Sequence, residues 1–377
     1  MSGIYIHVPF CWQRCHYCDF YSTLKTGKRK EFAEKILKEI GLRRDFISDR
    51  NVDTIYFGGG TPSLLDPKDL GKIISEVKNS FSLDDDHEIT LEANPDDLTT
   101  EYLKKIRGTG INRLSIGVQS FDDKDLQMLN RRHDSARATE AVKDSCLNGI
   151  ENISIDLIYG LPGQDIGSWI KNLEKAAQLM PEHISAYNLT YEKGTNFYRW
   201  LKEGKIQETS DEESNEMFET AVDFLRKHGF EQYEISNYAR DGKYSRHNTK
   251  YWFGEQYLGL GPSAHSFNGR IRQWNISNLE KWLDSDFGRG DFYHEEEIDP
   301  ATSRNEMIMT RLRTKWGIPK DEYVRRFGKE SWKELLYTAK NFIENGLMEY
   351  NERSLVISLK GKFLSDGIIA DLFVLDD

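Results

Sequence analysis

Between residue 3 and about residue 190, short β-branched runs alternate with longer amphipathic stretches, and that alternation confines the chain to parallel βα units. The spacing predicts strands at 4–8, 53–57, 88–92, 113–118, 154–158 and 183–189. Helices are expected between them at 29–48, 67–80, 99–108, 122–149 (two helices) and 166–179. Six such units are too few to close an eight-stranded barrel and suit an open, partial one.

The residues that interrupt the apolar pattern gather at one end of these strands. Gly58, Gly59, Gly60, Thr61 and Pro62 follow the second strand, and Glu92-Ala-Asn-Pro95 ends the third. Gly117-Val-Gln119-Ser-Phe121 ends the fourth, and Asp156-Leu-Ile-Tyr-Gly160-Leu-Pro-Gly163 the fifth. Parallel α/β sheets hold their ligands at the C-terminal ends of their strands. The loop Cys11-Trp-Gln-Arg-Cys15-His-Tyr-Cys18 leaves the first strand at the same end.

Three of the chain's four cysteines lie in that loop, a density that packing does not explain. They read as metal ligands. Zinc takes four protein ligands in paired blocks; Cys146 is far away in a helical stretch and reads as a buried small residue, while His16 offers a fourth ligand for a zinc knuckle. Thiolates also hold cubane iron–sulfur clusters. Three cysteines would leave one iron of such a cluster open.

The net charge of −11 argues against nonspecific polyanion binding, and Lys28-Arg29-Lys30 is too short to make a nucleic-acid surface. The run from Ile4 to Phe10 is broken by His7 and Pro9, so it reads as neither signal peptide nor membrane anchor. No run of about 18 apolar residues occurs. Clustered cysteines without an export signal point to a reducing cytoplasm.

Past residue 190 the alternation fades. A helix is expected at 211–228, then a strand over 230–238, a loop with His247-Asn-Thr-Lys-Tyr251-Trp252, and a glycine-rich stretch at 257–267. The acidic stretch 284–299 marks a boundary. Beyond it the pattern is three helices followed by a hairpin turning at 351–353, like a small winged-helix module. At roughly 150 residues per domain the length of 377 residues fits such a division: 1–210, 211–295 and 296–377.

The ordered series Tyr5-x-His7-x-Pro-Phe-Cys11-x3-Cys15-x2-Cys18, Gly-Gly-Gly-Thr-Pro, Glu-Ala-Asn-Pro, Gly-Val-Gln-Ser-Phe, Asp-Leu-Ile-Tyr-Gly-Leu-Pro-Gly and Gln-Tyr-Glu-Ile-Ser-Asn-Tyr resembles the oxygen-independent coproporphyrinogen III oxidase-like group of radical S-adenosylmethionine (SAM) proteins. The resemblance implies an α/β fold, a partial (β/α)6 radical SAM barrel with a C-terminal extension and a small winged-helix-like α+β domain. It implies a [4Fe–4S] cluster on Cys11, Cys15 and Cys18, with SAM at the open iron. Tyr5 and Tyr17 would flank SAM, and Gly59, Gly60 and Thr61 would admit its amino-acid portion to the backbone. Glu92 would accept from its amine or hydroxyl, and Gln119, Arg131 and Asp156 would line the same cavity or hold a second SAM-like ligand.

Two branches of that group differ at one position. The dehydrogenase branch, which oxidatively decarboxylates coproporphyrinogen III, resembles C-x3-C-x2-C-x-C; here position 20 is Phe20. The loop therefore resembles the haem-chaperone branch, whose members are thought to deliver haem to client haemoproteins. His247-Asn-x-x-Tyr251-Trp252 matches a motif associated with haem in that branch. Alone, His247 reads as a hydrogen-bonded loop histidine; the motif implies haem, with His247 as candidate ligand and His265 as its rival. The resemblance implies contact with a membrane only through a partner. The dehydrogenase is the alternative function.

Overall fold

The computed structural model describes residues 1–374, so the end of the third expected region, 375–377, lies outside the described residues. The first half runs β1 (Ser2–Val8), α1 (Arg29–Arg43), β2 (Asn51–Gly59), α2 (Pro67–Ser80), β3 (Ser82–Ala93), α3 (Thr100–Arg107), β4 (Arg113–Gln119), α4 (Asp123–Met128), α5 (Ser135–Leu147), β5 (Asn152–Tyr159), α6 (Ile166–Gln178) and β6 (His183–Asn188). Strands β1 to β6 are adjacent and parallel. Helices α2 to α6 each begin on a Thr or Asp cap, from Asp66 at α2 to Asp165 at α6, whose side chain accepts an otherwise unpaired backbone N–H. These caps fix where each strand-to-helix connection ends.

Alternate strand residues separate onto two faces. Ile4, Ile6, Val8, Ile55, Phe57, Ile89, Leu91, Leu114, Ile116, Ile153, Ile155 and Ile184 are buried in the core under the helices. Thr54, Tyr56, Thr90, Glu92, Arg113, Ser115, Ser154, Asp156, His183 and Ser185 have the opposite parity. A parallel sheet covered on both sides by apolar layers would be apolar at every position. This one is polar inside, and side chains from β2 through β6 converge on one cavity.

Residues 190–297 add α7 (Asn196–Lys202), α8 (Asp211–Lys227), β7 (Glu231–Gln232), β8 (Asn237–Ala239), α9 (Arg246–Phe253), β9 (Tyr257–Leu260), β10 (His265–Phe267), β11 (Ile271–Asn275), α10 (Leu279–Asp284) and β12 (Tyr293–Glu297). They extend the same sheet at both edges, in the order β12-β11-β10-β9-β1-β2-β3-β4-β5-β6-β8-β7. β9 runs parallel to β1, and β10 to β12 follow antiparallel.

Three expectations are corrected here. The single strand at 230–238 is a hairpin, because Tyr233 N–H donates to Asn237 O (3.1 Å) and turns the chain between β7 and β8. The segment with His247 is the helix α9, not a loop. Ser245 caps it at one end and Gly254, at φ +64°, ends it at the other. Its Asn, Thr and aromatic residues are weak helix formers, so the caps and tertiary contacts decide. Cys146 is exposed, not buried: the buried stripe of α5 is Ala138, Ala141, Val142 and Ser145, and Ser145 occupies the inward position beside it.

The C-terminal part is α11 (Pro300–Leu312), β13 (Ile318–Pro319), α12 (Lys320–Phe327), α13 (Lys329–Glu344), β14 (Met348–Tyr350), β15 (Ser354–Ile357) and α14 (Ser365–Asp371). Its three-stranded sheet and a separate apolar core from Met307 to Leu372 make it a unit distinct from the main sheet. No helix among the described residues is long and apolar enough to cross a membrane.

The antiparallel wing is tied to α1 by a buried ion. Arg43 donates to Glu39 (3.3 Å), Gly259 O (3.0 Å), Asn275 (3.1 Å), Ser266 (3.0 Å) and Gln273 (2.7 Å). Burial pushes the Glu39 carboxyl up, and Arg43 opposes that shift. Arg43→Met leaves the Glu39 charge unpaired, and such a loss costs about 3–5 kcal/mol. A denaturant midpoint lowered accordingly in the Met variant, and partly restored by adding Glu39→Leu, is the expected result.

Candidate functional site

The cysteine loop is held by protein contacts at its neck and its far end. Cys11 N–H donates to Thr23 O (3.0 Å) and Thr23 N–H to Pro9 O (2.7 Å), while Phe10 is buried edge-on against Phe32. The far end is fastened to the turn after α4: His16 N–H donates to Leu129 O (3.1 Å), Gln13 Nε2 to Asn130 O (2.8 Å) and Asn130 Nδ2 to Arg14 O (2.8 Å). His16 Nδ1 donates to Met128 O (3.0 Å), and its ring meets Trp200 edge-on at 4.6 Å. This anchor fixes the orientation of His16, the residue that a zinc knuckle would use as fourth ligand.

The same turn delivers Arg131. Asn130 reverses the chain at φ +60°, and Arg131 reaches inward to Cys15 Sγ (3.3 Å), Gly117 O (2.6 Å) and the Asn94 side chain. Arg132 points the other way, to Asp97 (2.7 Å). Gly117 leaves the necessary room: a Cβ there would lie 2.8 Å from Gln119 Nε2 and 3.2 Å from Arg131. Gln119 itself is held at φ +69°, where only a fixed surrounding keeps a non-glycine residue.

After β2 the chain passes close to the loop. Gly59 adopts φ +108°, and a Cβ on Gly60 would lie 2.8 Å from Phe10 O. Thr61 Oγ1 donates to Cys11 Sγ (3.5 Å). Glu92 accepts from Tyr56 OH (2.8 Å) and Gly59 N–H (3.2 Å); burial first, then the Asp156 charge, pushes its carboxyl up to about 7 against these donors. Asp156 accepts from Ser115 (2.9 Å) and Ser154 (3.1 Å), and burial raises it as well.

Cys11, Cys15, Cys18, Tyr17, Gly59, Gly60, Thr61, Glu92, Gln119, Arg131 and Asp156 thus line one cavity of about 530 Å³. Tyr5 and His247 do not line it. Tyr5 packs against both Tyr56 (6.1 Å) and His247 (6.3 Å), which stack on each other at 5.1 Å, and its hydroxyl lies 3.1 Å from His7 Nδ1. His247 is buried, with Nδ1 on Thr54 Oγ1 (2.8 Å) and Nε2 on Tyr251 OH (2.8 Å). Burial lowers its imidazole to about 3, so it is neutral. Axial ligation by either nitrogen would break one of these bonds.

Sequence reasoning missed Tyr56, Asn94, Arg113, Ser115, Ser154, His183 and Ser185, which also line the cavity. Strand parity was the available signal, since Arg113 and Ser115 stand four and two residues before Gly117, and Ser154 two before Asp156.

The three thiols are half-buried, free and on one wall. Burial pushes the Cys11 thiol up and the Cys18 thiol to about 11, so both favour the protonated form until a cationic centre arrives. Among the described residues no three Cys, His, Asp or Glu side chains form a ligand set around a single metal ion. A cubane asks for something else, one thiolate per iron atom. Three thiols spread over one wall, with Arg131 already donating to one sulfur, suit that demand.

Fold and cavity together meet a known class. The chain matches the Radical SAM superfamily over residues 5–176 and the HemN C-terminal domain over residues 298–364. It is 33% identical over 371 residues to the heme chaperone HemW of Bacillus subtilis, covering 98% of both chains. It is 32% identical to HemW of Mycobacterium tuberculosis H37Rv, covering 98% of this chain and 94% of that one. A radical SAM domain-containing mitochondrial protein of Bos taurus is 32% identical over 98% of this chain and 87% of its own. The chain is a radical SAM superfamily protein, and within it belongs to the HemW family. The solved coproporphyrinogen III oxidase (HemN) of Escherichia coli shares the fold, with a TM-score of 0.85 at 22% identity over 99% of this chain and 90% of that one.

Glu92 predicts a pH effect. Its folded value, about 7, lies above the ordinary 4.5, so between these values the folded state keeps a proton that the unfolded state has lost. Stability therefore falls as pH rises through that window. Melting of the cluster-free protein from pH 5 to 7.5 should show this decline, and Glu92→Gln should flatten it.

Proposed function

We propose that this chain is a haem chaperone, binding haem and passing it to client haemoproteins, and that it carries a SAM-binding [4Fe–4S] cluster. The observation that carries the reading is Phe20. It stands 63% exposed on the cavity rim, at the position where the dehydrogenase branch resembles a fourth cysteine. Full-length relatives named heme chaperone support the same reading. The six βα units form a partial (β/α)6 barrel around the cavity in this proposal, and the C-terminal helices and hairpin form a winged-helix-like module.

Cys11, Cys15 and Cys18 would hold the cluster, which when bound offers an iron without a protein ligand to the amino and carboxylate groups of SAM. The chain's own groups have separate tasks. Gly59 and Gly60 bring backbone close to the amino-acid end because no side chain intervenes. Glu92 accepts from the amine or a hydroxyl, and Thr61 and Arg131 keep donors on the Cys11 and Cys15 sulfurs. Gln119 and Asp156 offer further polar groups in the same cavity, and Tyr17 an aromatic flank. Tyr5 acts from behind by packing on Tyr56.

Two measurements test this. Cluster-reconstituted protein given reductant, SAM and coproporphyrinogen III should yield no protoporphyrinogen IX. Catalytic formation of that product would reject the chaperone in favour of the dehydrogenase. Cys15→Ala should remove the [4Fe–4S] absorbance, and retention of four irons per chain would reject the ligand assignment.

A further inference from the structure

The aromatic band that begins at Tyr5 continues away from the cavity. Tyr5 pairs with Gly259 of β9, Gly259 lies against His265 of β10, His265 pairs with Trp274 of β11, and Trp274 with His294 of β12. Paired residues point to the same face of a sheet, so these positions form one row. His265 and His294 are exposed, Trp274 is half-buried, and neither imidazole makes a hydrogen bond among the described residues. The His265 ring stacks on Trp274 (6.3 Å between centroids, 22° between planes), and Trp274 lies 5.9 Å from His294. Two free imidazoles on either side of an indole, with a glycine gap beside them, are an unusual use of a solvent-facing sheet.

We propose that this row is the haem seat: His265 supplies the axial nitrogen to the iron, and Trp274 and His294 lie under the porphyrin. The proposal rests on the haem-chaperone reading and names its binding residues. Imidazole is a common axial ligand of haem iron, and because an axial imidazole stands upright on the porphyrin, Trp274, only 22° from the His265 plane, meets the porphyrin face with its edge, a favourable aromatic arrangement. Strands lie about 4.8 Å apart, so His265 and His294, two strands apart, stand about 10 Å from each other. They cannot both bind one iron from the same side, and His294 serves the periphery.

The choice of His265 over His247 follows from availability. His247 would have to leave Thr54, Tyr251 and the stacked Tyr56 ring, 5.1 Å away. His265 leaves nothing but its stack. The His-Asn-x-x-Tyr-Trp helix then has a supporting part: His247 holds the Tyr251 hydroxyl, and the Tyr251 ring meets Tyr257 at 4.7 Å beside Phe267. It builds the floor next to the seat.

The test is titration of the full-length, cluster-reconstituted protein with ferric haem, read by the Soret band. Wild type should bind saturably at one haem per chain with a histidine-ligated spectrum. Removing even an outer partner of a metal ligand costs about 10- to 100-fold in affinity, so His265→Ala should weaken binding by at least about 100-fold and lose that spectrum, with added imidazole restoring it. Trp274→Ala and His294→Ala should weaken binding and keep the spectrum. His247→Gln, checked for folding by circular dichroism, should keep the histidine-ligated spectrum and lower the affinity by less than His265→Ala does, as a supporting residue would. Unchanged affinity and spectrum in His265→Ala would overturn the seat while leaving the haem reading intact. Loss of the spectrum in a folded His247→Gln, but not in His265→Ala, would return the ligand to α9. No saturable binding by wild type would remove the haem reading itself, and the seat with it.

Discussion

A carboxylate inside a sheet persists only where donors meet it, and the interior of this protein is built on that requirement. Glu92 is met by Tyr56 and Gly59, and Asp156 by two serines. Glu88, at the lower end, accepts from the backbone N–H groups of Arg246 and His247, the first two residues of α9. A helix N-terminus carries partial positive charge, so Glu88 and α9 stabilise one another and the helix closes that end of the interior. Lys250, on the same helix, reaches Asp53 at 2.7 Å and adds a second tie.

Tyr56 joins two regions that the inner face keeps apart. Its hydroxyl donates to Glu92 on the cavity side, while its ring stacks on His247 behind. On one side stand thiols, glycines and charged groups suited to a polar cofactor. On the other, aromatic rings run from Tyr5 through Tyr251 and Tyr257 to Phe267. The two chemistries share a wall one residue thick.

Much of this was legible in the chain itself. The alternation that ends near 190 located β1 to β6, and the strand-end motifs held six of the named cavity residues, Gly59, Gly60, Thr61, Glu92, Gln119 and Asp156, because those ends are where a parallel sheet leaves space; the cysteine loop and the family resemblance supplied the other five. Distant pairing was not legible. Nothing local says that β9 returns to lie parallel to β1, or that β10 to β12 follow it, since that register is set by packing against α1 and by the Arg43 network. His247 illustrates the limit: its motif marks it as special, but only the fold shows that both nitrogens face inward. His294 sits in an acidic run and gave no sign of its place beside Trp274.

The cysteine loop is shaped by contacts with the rest of the chain. Its neck is closed by Thr23, its far end by Leu129 and Asn130, and Arg131 is already drawn to Cys15. In a zinc finger the metal supplies the folding energy, and its loss unfolds the domain. Here the backbone around the three thiols is held by hydrogen bonds to Thr23, Leu129 and Asn130, so loss of any one thiol would change the lining of the cavity and leave the loop's anchors in place.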